Sequence, residues 1–512
     1  MSTPLIEKDL APLKGPILMF AAFVLAMANF MAILDTTIAN VSVTTIAGGL
    51  AVSPNEGTWV ITSYSVAEAI TVPLTGWLAM RFGPVRVFTT AIAMFGLFSA
   101  LCGLAPSLPI LVVCRILQGL SGGPMMPLSQ TLMMRIFPPH LRGQAMGLWA
   151  MTAVVGPIAG PLLGGAILDD LSWPWIFYIN VPVAIGLMFA APRLLRRYEG
   201  EIVRQPVDYT GLGLLIVWVG ALQIMLDKGE EADWFNSPMI VILAITAIIG
   251  FCAFVFWEIT QAHPIVNLKL FQRRSFAIAA AVMSLTYGSF FASVVLVPLW
   301  LQSSMGYDAK WSGRIMALQG ILAVIMSPIV AQVARRVDPR AIAFFGVMVI
   351  ALVMLMRSSF STDATFLNIA APQFLLGLGM SCFFMPINMI GISNLPPQDV
   401  ASGTGLLNFL RTSSGAVAVS MVTTQWSNAS TIARTDIAGR IDASGVMAQM
   451  QSGGQTAAQA VSTVDQLTQQ QSVMLATDQT FMALGAFAAV AAFTVWLAPR
   501  PPATPNMQMG GH

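Results

Sequence analysis

Charge is what this sequence lacks most. Of 512 residues only 9% are charged, 56% are hydrophobic, and mean hydropathy is +0.75. A soluble domain carries about 25% charged residues because water must wet its surface. A chain this poor in charge needs lipid as its solvent. The net charge of +2 comes with no long basic run, which argues against nucleic acid as a partner. The four cysteines, Cys102, Cys114, Cys252 and Cys382, sit in apolar segments without CxxC spacing. They are expected to be small buried hydrophobes, with no disulfide framework and no metal site. The three histidines are scattered, and neither HExxH nor GxxxxGK[ST] occurs, which disfavours a zinc hydrolase and an ATP-driven pump. The one GxSxG match, Gly119 to Gly123, lies inside an apolar run and not on the strand-to-helix turn that motif needs. No enzyme and no cofactor is expected.

Long apolar runs are what the chain has instead. A span needs about 20 mainly apolar residues. Fourteen candidates lie near 16–38, 57–79, 86–106, 108–130, 144–168, 174–192, 210–227, 238–257, 275–300, 312–333, 341–357, 366–391, 403–424 and 478–498. The first is read as a retained span and not as a signal peptide. Only helices satisfy their own backbone in lipid when period-2 alternation is absent, so an all-α membrane protein follows. With the N terminus inside, seventeen Lys and Arg fall in inside segments and five, Arg357 among them, in outside ones. That bias places both termini in the cytoplasm.

Two stretches recur. Leu78 to Pro84 is echoed by Val333 to Pro339 at an offset of 255, and Ile136 to Pro139 by Asn394 to Pro397 at 258. Gly119 matches Gly377 at the second offset. The plan expected is a six-helix bundle over 1–200, two inserted helices over 201–270, and a second bundle over 271–512. In that plan the substrate site lies between the bundles near the midplane.

Ionisable groups within spans are few: Asp35, Glu68, Arg115 and Arg411, with Arg314 near a span end. Each is costly in hydrocarbon and so points to function. Asp35 and Arg115 fall at similar depth in the outer half, where they can pair. An acid that alternates between a paired and a desolvated setting can load and release a proton. Glu68 is a second candidate for protonation. Arg411, near Asn408, either holds an anionic group or snorkels to the inner surface. Tyr64, Trp59, Phe384 and Met385 are candidates for an adaptable apolar pocket, with Gln118, Asn388, Asn408 and Arg411 as polar substrate contacts.

Gly156, Gly160 and Gly164 repeat every four residues on one face of the fifth span, and Pro157 and Pro161 bend it. Arg115, Gln118, Gly119 and Gly122 likewise share one face of the fourth.

Taken together, these residues resemble the major facilitator superfamily, in its 14-span drug:proton antiporter branch of EmrB-like multidrug efflux pumps. Leu34 to Val41 is similar to the branch's first-span signature, and Gly76 to Gly83 to the loop between spans two and three. Arg115 to Gly119 is similar to the fourth-span motif and Gly156 to Gly165 to the antiporter motif. Trp175 to Pro182, Leu226 to Gly229 and Asp233 to Phe235 are more particular to the EmrB-like group. The resemblance implies proton coupling at Asp35 and Arg115. It implies gating by Gly76, Arg81, Gly83, Gly156, Pro157, Gly160, Pro161 and Gly164. It also implies export of hydrophobic or amphipathic drugs across a bacterial inner membrane, powered by the proton gradient. An EmrA-like periplasmic adaptor and a TolC-like outer-membrane channel are the partners it implies, the adaptor meeting residues 425–477. That segment is expected to be an outside loop of two short amphipathic helices broken at Gly453-Gly454. Two departures stand out: Met80 replaces the usual Asp of the loop motif, and Glu68 replaces an amide. A proton-coupled nutrient symporter is the alternative.

Overall fold

The computed structural model describes residues 12–138, 141–200, 202, 207–307, 309–334, 336–362, 364–440, 443–452 and 456–500. Pro139, Arg335, Gly453, Gly454 and the side chain of Pro161 lie outside the described residues. Among the described residues the fold comprises fourteen long helices. The first six are α1 Gly15–Gly49, α2 Trp59–Phe82, α3 Pro84–Gly103, α4 Leu108–Ile136, α5 Arg142–Asp170 and α6 Trp175–Tyr198. Two more follow, α7 Tyr209–Lys228 and α8 Pro238–Thr260. The last six are α9 Arg274–Ser303, α10 Ala309–Val333, α11 Pro339–Arg357, α12 Phe366–Ile392, α13 Val400–Arg440 and α14 Ala457–Val495. Pro opens α1, α3, α4, α8 and α11, where its missing N–H is no loss.

Eleven of these helices are long and apolar enough to cross a bilayer. The two limbs of α5, bent by 42° between Pro157 and Leu162, make a twelfth. α2 and α13 are the more polar remainder, and both are packed between neighbours.

Helices α1–α6 pack together, as do α9–α14, and α7 packs on both α2 and α13. The loops α2–α3 and α10–α11, at the end that the Lys and Arg bias assigns to the inside, have parallel chemistry. At the first, Gly83 takes φ +91°, and Glu199 from the end of α6 accepts the backbone N–H of Val85 at 3.0 Å. At the second, Asp338 accepts the N–H of Arg340 at 2.9 Å. Each carboxylate caps an N-terminus that leaves N–H groups unpaired. Glu199, then, supplies this loop with an acid where Met80 does not, while Arg81 stacks over Trp77 at 5.4 Å.

Arg340 also grips Asp338 through its side chain at 2.8 Å, which holds that carboxyl below the usual carboxylate range. A depressed acid stabilises the fold above its unfolded pKa and loses that contribution as pH falls through its folded pKa. Asp338→Asn is expected to lower the melting temperature of the purified protein at neutral pH. The difference from wild type should close below about pH 4, where the unfolded Asp is itself protonated. A gap that persists at acid pH would rule this out.

Two expectations need correction. The segment 425–477 is not a loop with a pair of short helices. α13 runs unbroken to Arg440, α14 already begins at Ala457, and one short helix, Ala443–Ser452, lies between. From Ala416 to Ala438 the chain has no Gly or Pro, so nothing stops the helix where the apolar run ends. A capping box of Thr456 and Gln459 starts α14, and Arg434 pairs with Asp465 at 2.5 Å across the two helices. Cys252 is exposed, unlike the three buried cysteines. It lies on α8, which packs chiefly on α7, and an outward face toward lipid welcomes an apolar side chain as a core does.

Candidate functional site

Asp35 sits on α1 with 2% of its surface exposed, and two helices supply its partners. Arg115 of α4 donates from Nη1 to Oδ2 at 2.6 Å. Gln118, one turn on, donates to Oδ1 at 2.9 Å, and Asn180 at the start of α6 donates to the same oxygen at 2.7 Å. Arg115 also donates from Nε to the carbonyl of Val60 at 3.0 Å, and its guanidinium lies 4.2 Å from the Tyr64 ring centroid. Burying two charges costs several kcal/mol each, and only close pairing with saturated hydrogen bonds offsets it. This carboxylate accepts three donors and so meets that condition on its side, while Arg115 Nη2 has no partner among the described residues. Tyr64 is fully buried in the network and supports Arg115.

The small residues set the helix spacing. A Cβ on Gly119 would meet the Tyr64 carbonyl at 2.5 Å, so α4 lies directly on α2. On α5, Gly156, Gly160 and Gly164 face Ile33, Thr37 and Val41 of α1, with Thr37 Oγ1 only 2.1 Å from a Cβ built on Gly160. Asp35 is thereby carried on a helix that lies directly against the smooth face of α5.

A second polar layer joins the bundles. Gln130 of α4 donates to Asn388 Oδ1 of α12 at 2.8 Å and accepts from Asn408 Nδ2 of α13 at 2.9 Å. The hydroxyls of Thr131 and Thr404 meet at 2.8 Å. Gly76 of α2 lies against Ser402 of α13. All of these lie where α4 and α12 end and α13 begins, the end that the Lys and Arg bias assigns to the inside. The bundles are closed there.

Between this seam and the Asp35 network lies Arg411, 2% exposed. The rings of Trp149, Tyr287 and Phe384 stand 5.8, 5.2 and 5.7 Å from its guanidinium. That burial rejects snorkelling. Glu68 on α2 is partly exposed and within electrostatic reach of Arg411, Asp35 and Arg115, but forms no ion pair among the described residues. Trp59 is 37% exposed and its ring lies 5.6 Å from the Lys228 ammonium, at the opposite end from the seam. It is the first residue of α2, and a ring at a helix start reaches outward.

The duplication is visible in three dimensions. The offsets 255 and 258 carry Tyr64 to Gln319 and Gly119 to Gly377. A Cβ on Gly377 would meet the Gln319 carbonyl at 2.1 Å, just as Gly119 meets that of Tyr64. The same offsets carry Cys102 to Arg357 and Arg115 to Gln373. Arg357, 1% exposed, donates to Gln373 and has no acid partner among the described residues. Each half thus buries a guanidinium among amides, but only the first has the carboxylate.

The model of the Major Facilitator Superfamily matches residues 25–419. The chain belongs to that superfamily. It is 43% identical over 436 residues to the multidrug export protein EmrB of Haemophilus influenzae, covering 85% of this chain and 86% of that one. It is 41% identical to the fatty acid resistance protein FarB of Neisseria gonorrhoeae, covering 96% and 98%. The structure of the proton:xylose symporter XylE superposes with a TM-score of 0.58 at 14% identity, over 94% of this chain and 96% of XylE. That last likeness speaks to the fold, the helical architecture of major facilitator transporters. As a member, this protein is a multi-pass membrane transporter.

Sequence reasoning missed Asn180, Gln130 and Arg357. Asn180 and Gln130 are polar residues in apolar runs, and that signal was available. Arg357, counted as an outside charge, ends its helix in sequence; only packing shows that neighbours enclose it.

Proposed function

We propose that this transporter expels hydrophobic and amphipathic compounds across a bacterial inner membrane in exchange for protons. The observation that carries the reading is Asp35, a titratable acid removed from water and held by donors from α4 and α6. Protonation removes the negative charge that Arg115, Gln118 and Asn180 address together. A proton therefore has different affinities for arrangements of α1, α4 and α6 that keep or break these contacts, and a ligand shifts an equilibrium only through such a difference. Substrate and proton bind in turn as the bundles open to one side and then the other. Relatives named for multidrug export and fatty acid resistance support the substrate range. The projecting ends of α13 and α14 support a periplasmic adaptor of EmrA type, feeding a TolC-like channel.

Everted membrane vesicles test the direction. An acid interior should drive a lipophilic dye into vesicles that contain the protein, and an uncoupler should stop this with ATP present. Expulsion of the dye under the same gradient, or indifference to it, would refute the exchange.

A further inference from the structure

Arg411 is a cation with too few acceptors. One of its terminal nitrogens meets only the thioether of Met126, and its Nε has no partner among the described residues. No carboxylate lies within ion-pair distance among those residues. Arg115 differs in having a carboxylate, with an amide oxygen and a backbone carbonyl beside it, although its Nη2 too has no partner among the described residues. Arg357 also lacks an acid, but it is enclosed within one bundle by Gln373 and Phe481. Arg411 lies between bundles: Met126 and Trp149 come from the first, Tyr287 and Phe384 from the second. Of the groups near the cation, Tyr287 and Glu68 keep part of their surface accessible.

A guanidinium offers five donors, fits a carboxylate through two parallel bonds, and strongly prefers an ionised acceptor. Ring faces compensate part of its charge and leave the N–H edges unspent. We propose that Arg411 anchors the anionic head of an amphipathic organic acid, whose apolar body packs on Trp149, Tyr287 and Phe384. A neutral compound would leave the donors unsatisfied, and a cation would meet like charge. The inference rests on reading the space between the bundles as the substrate path.

The test uses full-length protein in nanodiscs and two probes of one shape, pyrenebutyrate and pyrenebutyramide, with binding read as energy transfer from tryptophan to pyrene. The carboxylate should bind wild type about tenfold or more tighter than the amide, the scale of a charge-assisted contact. Arg411→Gln should bring that ratio close to one, and Arg411→Lys should lower it less. Glu68→Gln, which removes a negative charge facing Arg411, should raise it. Should Arg411→Gln not assemble, the opposite shifts expected of Arg411→Lys and Glu68→Gln decide the matter. Equal affinities in wild type, no binding of either probe, or a ratio that ignores these substitutions would overturn the proposal. Vesicles that still pump a cationic dye while the ratio is one would defeat this inference alone. A ratio that holds in protein that pumps nothing would defeat the export reading alone.

Discussion

Asp35→Asn is expected to abolish the protons released when a lipophilic substrate is added to purified, weakly buffered protein. The amide has nearly the shape of the acid. Its oxygen still accepts from Arg115, but it carries no charge, turns an NH2 toward the donors of Gln118 and Asn180, and has no proton to give up. Asp35→Ala is a different experiment. It takes the acceptor as well as the counter-charge from buried Arg115, a loss of about 3–5 kcal/mol for one broken buried pair. That variant is expected to accumulate poorly. Glu68→Gln is the companion measurement, because Glu68 lies within reach of the same charges. Release that is unchanged in both amide variants would remove proton exchange from these residues altogether.

The second large effect is expected at Gly76. A Cβ there would lie 2.1 Å from Oγ and 2.6 Å from Cα of Ser402. A rotamer change moves the hydroxyl but not the backbone, so α2 and α13 must separate. Packed interfaces change between discrete arrangements and do not stretch continuously. Gly76→Ala should therefore disfavour closure of the inner end and slow transport about tenfold or more, which corresponds to about 1.4 kcal/mol. A membrane-impermeant maleimide applied from the inside should label Thr404→Cys faster when Gly76→Ala is also present. Gly213→Ala on α7, where a Cβ would meet nothing within 4 Å, is the control and should transport normally. Normal transport by Gly76→Ala would show that this contact plays no part in the cycle.

The helices were legible because lipid imposes one rule on every span: about 20 mainly apolar residues. The Asp35–Arg115 pair was legible for a related reason. Two opposite charges in hydrocarbon at similar depth have few ways to be stable apart. What could not be read is what depends on rotation about a helix axis. Nothing in the sequence places Asn180 beneath Asp35, or turns Arg411 inward among three rings and away from the surface. The reach of α13 and α14 was missed for another reason. Hydropathy reports where a helix leaves lipid, and helix propensity, a separate property, reports where it ends. The echo at 255 and 258 was faint as letters but strong as contacts, because close approach at Gly119 and Gly377 constrains shape more than identity.

The length of α13 has a mechanical corollary. Its 41 residues extend about 60 Å at 1.5 Å per residue, twice the thickness of the hydrocarbon. With α14 packed alongside, it forms an arm rooted in the second bundle. In the exchange proposed above, a tilt of that bundle would carry the far end of the arm farther than any atom within the bilayer. A partner docked on that end would then be informed of the stage of the cycle without touching the cargo.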